Sequence, residues 1–146
     1  MSGDIMNNEK MLTSLLHTVQ MGQSGIKCVM DSAVRPALKQ EMRHQLKTYD
    51  QMEAQARQLA AQNGLQLRDI HPGILKMSDL MAKARLVGGE RDSKIAGMLI
   101  QGNTRGMILG MKNLRKGRKI DTEVQALARS LVEQERLSIE NSKGFL

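Results

Sequence analysis

Glu41 and His44 stand three apart in Glu41-Met42-Arg43-His44, and Glu135 lies among apolar positions with Ser138 three places on. These are the residue types of a dinuclear carboxylate centre. Such a centre takes a Glu from each of two helices and a Glu-x-x-His pair from each of two others. The carboxylates bridge the metals and the imidazoles complete their shells. This sequence holds only fragments of that set. Ser138 stands where a second His is needed. No Asp or Glu occurs between Met11 and Met30, or between Ser93 and Leu114. On a helical wheel His44 also points away from the Leu38, Met42 and Tyr49 stripe. The expectation is therefore no metal and no cofactor, with Glu41 and His44 a solvated pair.

Glu135 needs a separate account, because an isolated carboxylate among apolar side chains is costly. Gln23, Gln45, Asn103 and Thr104 are the polar residues placed to answer it from other helices. One reading is a remnant site or a small-ligand pocket. The favoured reading is a buried hydrogen-bond network that fixes helix register. His17 and Cys28 share a helix face but lie about three turns apart, too far for a metal or a nucleophile–base pair. His71 precedes Pro72 and is expected to be exposed. No Ser, His and Asp combination can be assembled, so no catalytic residue is expected.

The elements that must position these residues are helices. Leu12, Leu15, Leu16, Val19, Gly22, Ile26 and Val29 repeat at helical spacing from about Glu9 to Asp31, with Asn8 an N-cap candidate. The outer face of this helix, with His17, Met21, Ser24 and Cys28, is uncharged, which predicts a second buried surface and so oligomerisation. A second helix runs from Pro36 to Gln62, started by proline and stopped by Asn63-Gly64. Its stripe is Leu38, Met42, Gln45, Tyr49, Met52, Ala56 and Leu59. A shorter piece spans about 73–87, with Ile74, Leu75, Leu80, Met81 and Ala84 apolar. The next helix starts after Asp92 or Ser93. The last follows an Asp121 N-cap and reaches about Asn141, with Val124, Leu127, Ala128, Leu131, Glu135 and Ser138 facing inward. Residues 1–8 are expected to be a flexible lead-in, 9–142 one domain, and 143–146 a loosely held tail.

The fourth of these segments organises the rest. Gly102, Gly106 and Gly110 are four apart, so a helix stacks them in one groove. Each costs about 1 kcal/mol relative to Ala in a helix interior. Close packing into the groove has to compensate. Ile100, Met107, Met111 and Leu114 form a second apolar face on nearly the opposite side, again suggesting contact with another subunit. A membrane span is disfavoured, because Gln101, Asn103, Thr104 and Arg105 interrupt the apolar run.

Composition sets the outer limits. The chain has 146 residues, a net charge of +7, a single cysteine and almost no aromatic residues. Leu, Ile, Val and Met must make the core, which favours helix packing over sheet. One cysteine excludes an intrachain disulfide framework. MSGDIMNNEK lacks a basic start followed by an apolar run, so no secretory leader is expected and the expected compartment is the cytoplasm. Lys112, Arg115, Lys116, Arg118 and Lys119 cluster at one turn. They suit a helix C-terminus electrostatically. They also suit phosphate neutralisation, but no aromatic interleaves them for base stacking, so nucleic acid is a secondary expectation.

Two helical pairs joined by one long connection is the up-down, ferritin-like four-helix bundle with a crossover. MLIQGNTRGMILGMKNL, LVEQERLSIEN and the early Tyr49-x-x-Met52 resemble uncharacterised ferritin-like bundle proteins of Gram-positive bacteria over about residues 9–146. That resemblance implies a fold and little chemistry. The expected function is a non-enzymatic bundle acting through self-association, a dimer being favoured, or through protein contacts. The alternatives are a metal-binding oxidoreductase with a degenerate carboxylate site, and an anionic-polymer binder using the basic turn.

Overall fold

A computed structural model describes residues 5–146. The chain is all-α, with helices α1 (Asn8–Val29), α2 (Pro36–Gln62), α3 (Pro72–Arg85), α4 (Arg91–Lys116) and α5 (Thr122–Lys143). Among the described residues there is no strand, and no helix is long and apolar enough to cross a membrane. Residues 1–4 of the expected lead-in lie outside the described part.

Local sequence explains most of the boundaries. Pro36 opens α2 at a position where its missing N–H removes no bond. Gly64, at φ 65°, closes α2, with Leu65 N–H bonded to Ala60 O and Gly64 N–H to Ala61 O. Asn7 rather than Asn8 caps α1, its Oδ1 accepting from Lys10 N–H at 2.9 Å. Asn8 instead accepts from Asp121 N–H at the start of α5. Gly117 ends α4 in an extended conformation, and Lys119 supplies the left-handed residue of that turn.

α1, α2, α4 and α5 pool their buried side chains in one core, led by Leu12, Val19, Leu38, Met42, Ile95 and Val124. The pairs that touch fix the directions. Ser14 meets Asn113 and Thr18 lies at Gly106, so α1 and α4 run antiparallel. Gly106 lies at Glu135 and Gly110 at Val132, so α4 and α5 are antiparallel as well. Gln45 meets Ser142 and Tyr49 meets Glu135, which orients α2 against α5 in the same way.

α3 belongs to a different layer. It contributes no buried residue and packs against α1. The uncharged outer face of α1 is thereby covered by the chain's own connection between α2 and α4. His17 Nε2 bonds Arg68 O at 2.8 Å, Gln20 binds Asp69 and the Ile70 N–H, and Ser24 Oγ donates to Asp79 at 2.9 Å. Cys28 is half-buried here, its Sγ 3.5 Å from Asp79 O. The outer face of α1 is thus half-covered, and its cover comes from the same chain.

Both chain ends are fixed in the described part. Met6 pairs with the α4–α5 turn through Met6 N–H to Lys116 O and Arg118 N–H to Met6 O, each at 3.0 Å. At the other end Ser142 is fully buried and Arg35 bonds Phe145 O at 3.1 Å while its guanidinium sits 5.1 Å over the Phe145 ring. Within 143–146, the segment expected to be loosely held, Phe145 is thus tied to Arg35. Asp92 holds Arg35 in turn, accepting from the Val34 and Arg35 N–H groups and from Arg35 Nε. Its partial burial would raise its pKa, but those donors outweigh it and hold the carboxyl below the usual range.

Candidate functional site

The polar centre of the molecule forms where α2, α4 and α5 meet behind α1. Each contributor comes from the inward stripe of its helix: Gln45 and Tyr49 from α2, Asn103 from α4, Glu135 and Ser142 from α5. Glu135 is 1% exposed. Its Oε1 lies 2.5 Å from the Tyr49 hydroxyl, which also lies 2.9 Å from Asn103 Oδ1. Asn103 Nδ2 reaches Gln45 Oε1 at 3.5 Å. Gln45 Nε2 then donates to Glu41 Oε2 at 2.8 Å and to Ser142 Oγ at 3.2 Å. The chain thus runs from the core to the half-exposed carboxylate of Glu41.

Two glycines make the centre possible. A Cβ at Gly106 would collide with Glu135 Oε2 and come within 2.9 Å of Thr18 Cγ2. A Cβ at Gly22 would overlap the Tyr49 ring. The carboxylate and the phenol are therefore cradled by bare backbone on two sides, and they fill that space themselves. Gly110 serves α4–α5 packing, its absent Cβ leaving room for Val132. Gly102 does not join the groove, since nothing lies within 4 Å of a Cβ there. A four-residue step advances around the helix, so the glycine row drifts across α4: Gly106 joins Leu99 and Asn103 on the buried face, while Gly102 falls outside it. Leu109 follows Gly102 outward and is exposed.

Burial sets the electrostatics. It pushes the Glu135 carboxyl up from 4.5 to about 7, the hydrogen bond from Tyr49 pulling the other way. Burial, then the Glu135 charge and hydrogen bond, hold the Tyr49 hydroxyl well above its ordinary range. No lysine or arginine among the described residues pairs with either group. Among the described residues no buried side-chain nitrogen or oxygen lacks a hydrogen-bond partner.

The remaining sequence candidates fall elsewhere. Gln23 is buried but turns to Asp50 and Glu53, at 2.8 and 3.0 Å. Thr104 returns its hydroxyl to Ile100 O on its own helix, at 2.7 Å. Neither answers Glu135. Glu41 is spent on Gln45, while His44 is exposed. Among the described residues no group of three or more His, Cys, Asp or Glu side chains could hold a metal ion. His71 is exposed as expected, but its Nδ1 also accepts from Gly73 N–H at 2.9 Å and caps α3.

Tyr49 is the residue that sequence reasoning missed as a partner. It was legible as part of the α2 stripe. The unused signal was its hydroxyl, since a tyrosine turned inward needs a polar partner, and Glu135 is the one carboxylate on an inward stripe of the last helix.

Lys112, Arg115, Lys116, Arg118 and Lys119 are all exposed, and none makes an ion pair with a described residue. Arg118 donates only to the neighbouring Gly117 O. The turn that presents them is held by Met6 and by Asn8. No family model, no curated protein and no solved structure matches this chain.

Proposed function

We propose that the chain is a ferritin-like four-helix bundle of α1, α2, α4 and α5, with α3 on a crossover, and that it acts without catalysis through contacts with itself or other proteins. The antiparallel pairs and the single long connection support that topology. The packing of Glu135 and Tyr49 against Gly106 and Gly22 supports a structural role for the polar centre, because the two side chains themselves fill the space that the glycines leave.

The observation that carries the contact reading is the outward side of α3. Ala82 and Leu86 pack against the core, while Ile74, Met77, Leu80, Met81 and the following Val87 are exposed, each more than half accessible. Large apolar side chains grouped on one surface mark an interaction site. Ile108, Leu109 and Met111 add exposed apolar area on α4. A cytoplasmic homodimer is the simplest assembly. Sedimentation of the wild type and of Leu80→Asp tests this. The expected result is a wild-type dimer that the charge converts to monomer. A wild-type monomer at every concentration overturns self-association.

A second reading has its own observation: five unpaired cations on a turn fixed by Met6. It predicts binding to an anionic polymer that weakens steeply with salt. Titration with duplex DNA over a salt series tests it, and binding unchanged by Arg115→Glu and Lys119→Glu overturns it.

A further inference from the structure

The polar centre contains one proton fewer than its contacts need if Glu135 is ionised. The Tyr49 hydroxyl has a single proton and two oxygen neighbours, Glu135 Oε1 and Asn103 Oδ1. It can donate to only one of them. Asn103 presents Oδ1 to Tyr49 because its Nδ2 is directed to Gln45 Oε1, and Gln45 presents Oε1 because its Nε2 is directed to Glu41 and Ser142. Both Tyr49 contacts are attractive in this arrangement only when Glu135 carries a proton and donates to the Tyr49 oxygen. All the bonds then run one way, from Glu135 to Glu41.

Ionising Glu135 reverses that order. The carboxylate accepts from Tyr49, whose proton is then spent. Asn103 Oδ1 would face the phenol oxygen with no hydrogen between them. A half-turn of the Asn103 amide restores a donor, with Nδ2 now giving to Tyr49. Asn103 Oδ1 then meets Gln45 Oε1, and a half-turn of Gln45 answers it. Ser142 can donate to the rotated Gln45 Oε1, but Glu41 cannot. Glu41 loses its donor and, being half exposed, turns to water.

We propose that Glu135, Tyr49, Asn103, Gln45 and Glu41 form a proton-responsive chain whose hydrogen-bond direction reverses when Glu135 gains or loses its proton, so that a buried protonation event is read out at the surface carboxylate of Glu41. The groups facing Glu135 make this the cheapest response. Tyr49 meets it from α2 and Gly106 from α4, with Thr18 of α1 beside Gly106; Gly22 backs the Tyr49 ring, and Asn103 and Gln45 continue the chain beyond Tyr49. Apart from Tyr49 none of these can ionise. Of the other charged groups, Asp50 and Glu53 on α2 are engaged by Gln23, and on α5 Glu133 pairs with Arg136 and Glu140 with Lys143 at the surface. With no cation to hold the charge in place, reorienting neutral amides is the available compensation. The burial that raises the Glu135 carboxyl towards neutral pH puts the reversal where it is accessible.

The test is an NMR titration of the full chain, following the Glu135 and Glu41 carboxyl carbons and the side-chain amides of Asn103 and Gln45. The expected result is one shared midpoint near neutral pH for Glu135 and both amides, with a second inflection at Glu41 at the same pH. In Glu135→Gln, whose amide donates as the neutral acid does, the Asn103 and Gln45 signals should be flat across that range. In Tyr49→Phe, Glu135 should still titrate while Gln45 and Glu41 no longer follow it. Asn103 and Gln45 amides that stay fixed while Glu135 titrates in the wild type overturn the proposal. So does a Glu135 midpoint in the ordinary carboxylate range.

Discussion

The centre around Glu135 and the outer side of α3 invert the usual distribution of polarity. In the first, a carboxyl, a phenol and two amides are enclosed and every one has a partner. In the second, Ile74, Met77, Leu80 and Met81 face water on a helix without a single buried residue. The contrast separates what holds the fold from what the fold displays. Burial makes each polar atom in the centre depend on its neighbours, so a change there propagates through three helices. On α3 an outward side chain touches little of its own chain, so changing it should affect association and leave folding alone.

The largest expected effect comes from filling the glycine cradle. Gly106→Leu must displace Glu135 and Thr18 together, and should cost about 3 kcal/mol or more in urea melts, at the upper end of overpacking penalties. A loss below about 1 kcal/mol would mean that Glu135 leaves the core easily.

Next in size is the pH dependence of stability. The folded Glu135 pKa of about 7 stands above the ordinary 4.5, so in between the folded chain holds a proton that the unfolded chain releases. The associated stability is whole below 4.5 and is lost as pH rises through 7. Glu135→Gln should remove roughly 3 kcal/mol of decline between the acid and alkaline sides of that window. Parallel pH profiles for the two proteins would contradict it.

A smaller effect of opposite sign is expected at Gly102. It lies in the interior of α4 with open space around it, so Gly102→Ala should stabilise by about 0.5–1 kcal/mol through helix propensity alone. Destabilisation there would show that the groove extends a turn further than the structure places it. The smallest effect belongs to α3. Met77→Gln and Leu80→Gln should each change stability by less than about 0.5 kcal/mol. Loss of cooperative unfolding in either variant would make α3 part of the core and break the contrast.

Much of the architecture was legible because its signals are local. Pro36 and Asn63-Gly64 bracket α2 through fixed φ and a left-handed cap, neither of which needs a partner. The inward stripes of α1, α2 and α5 follow from spacing, and the position of Glu135 among Leu127, Ala128 and Leu131 marked it for burial. α3 was legible as a helix but not in its orientation. Its apolar residues occupy two sides, and only packing against the bundle decides that Ala82 and Leu86 go inward. The uncharged outer face of α1 carried the same ambiguity: sequence shows that a surface is covered, but not by which chain.

By itself the sequence determined five helices, their approximate ends, and an acid marked for burial. Those properties depend on i to i+4 neighbours and on the cost of burying charge, both readable along one chain. The tertiary structure alone decided that Tyr49 is the partner of Glu135, that Gly22 and Gly106 frame them while Gly102 does not, and that Arg35 clamps Phe145. Each of these joins residues dozens of positions apart. A rotation of one residue about the α4 axis would have put Gly102 inward and Asn103 outward. Helical periodicity is too broad to resolve a turn of that size, and only the packing of side chains from four helices fixes it.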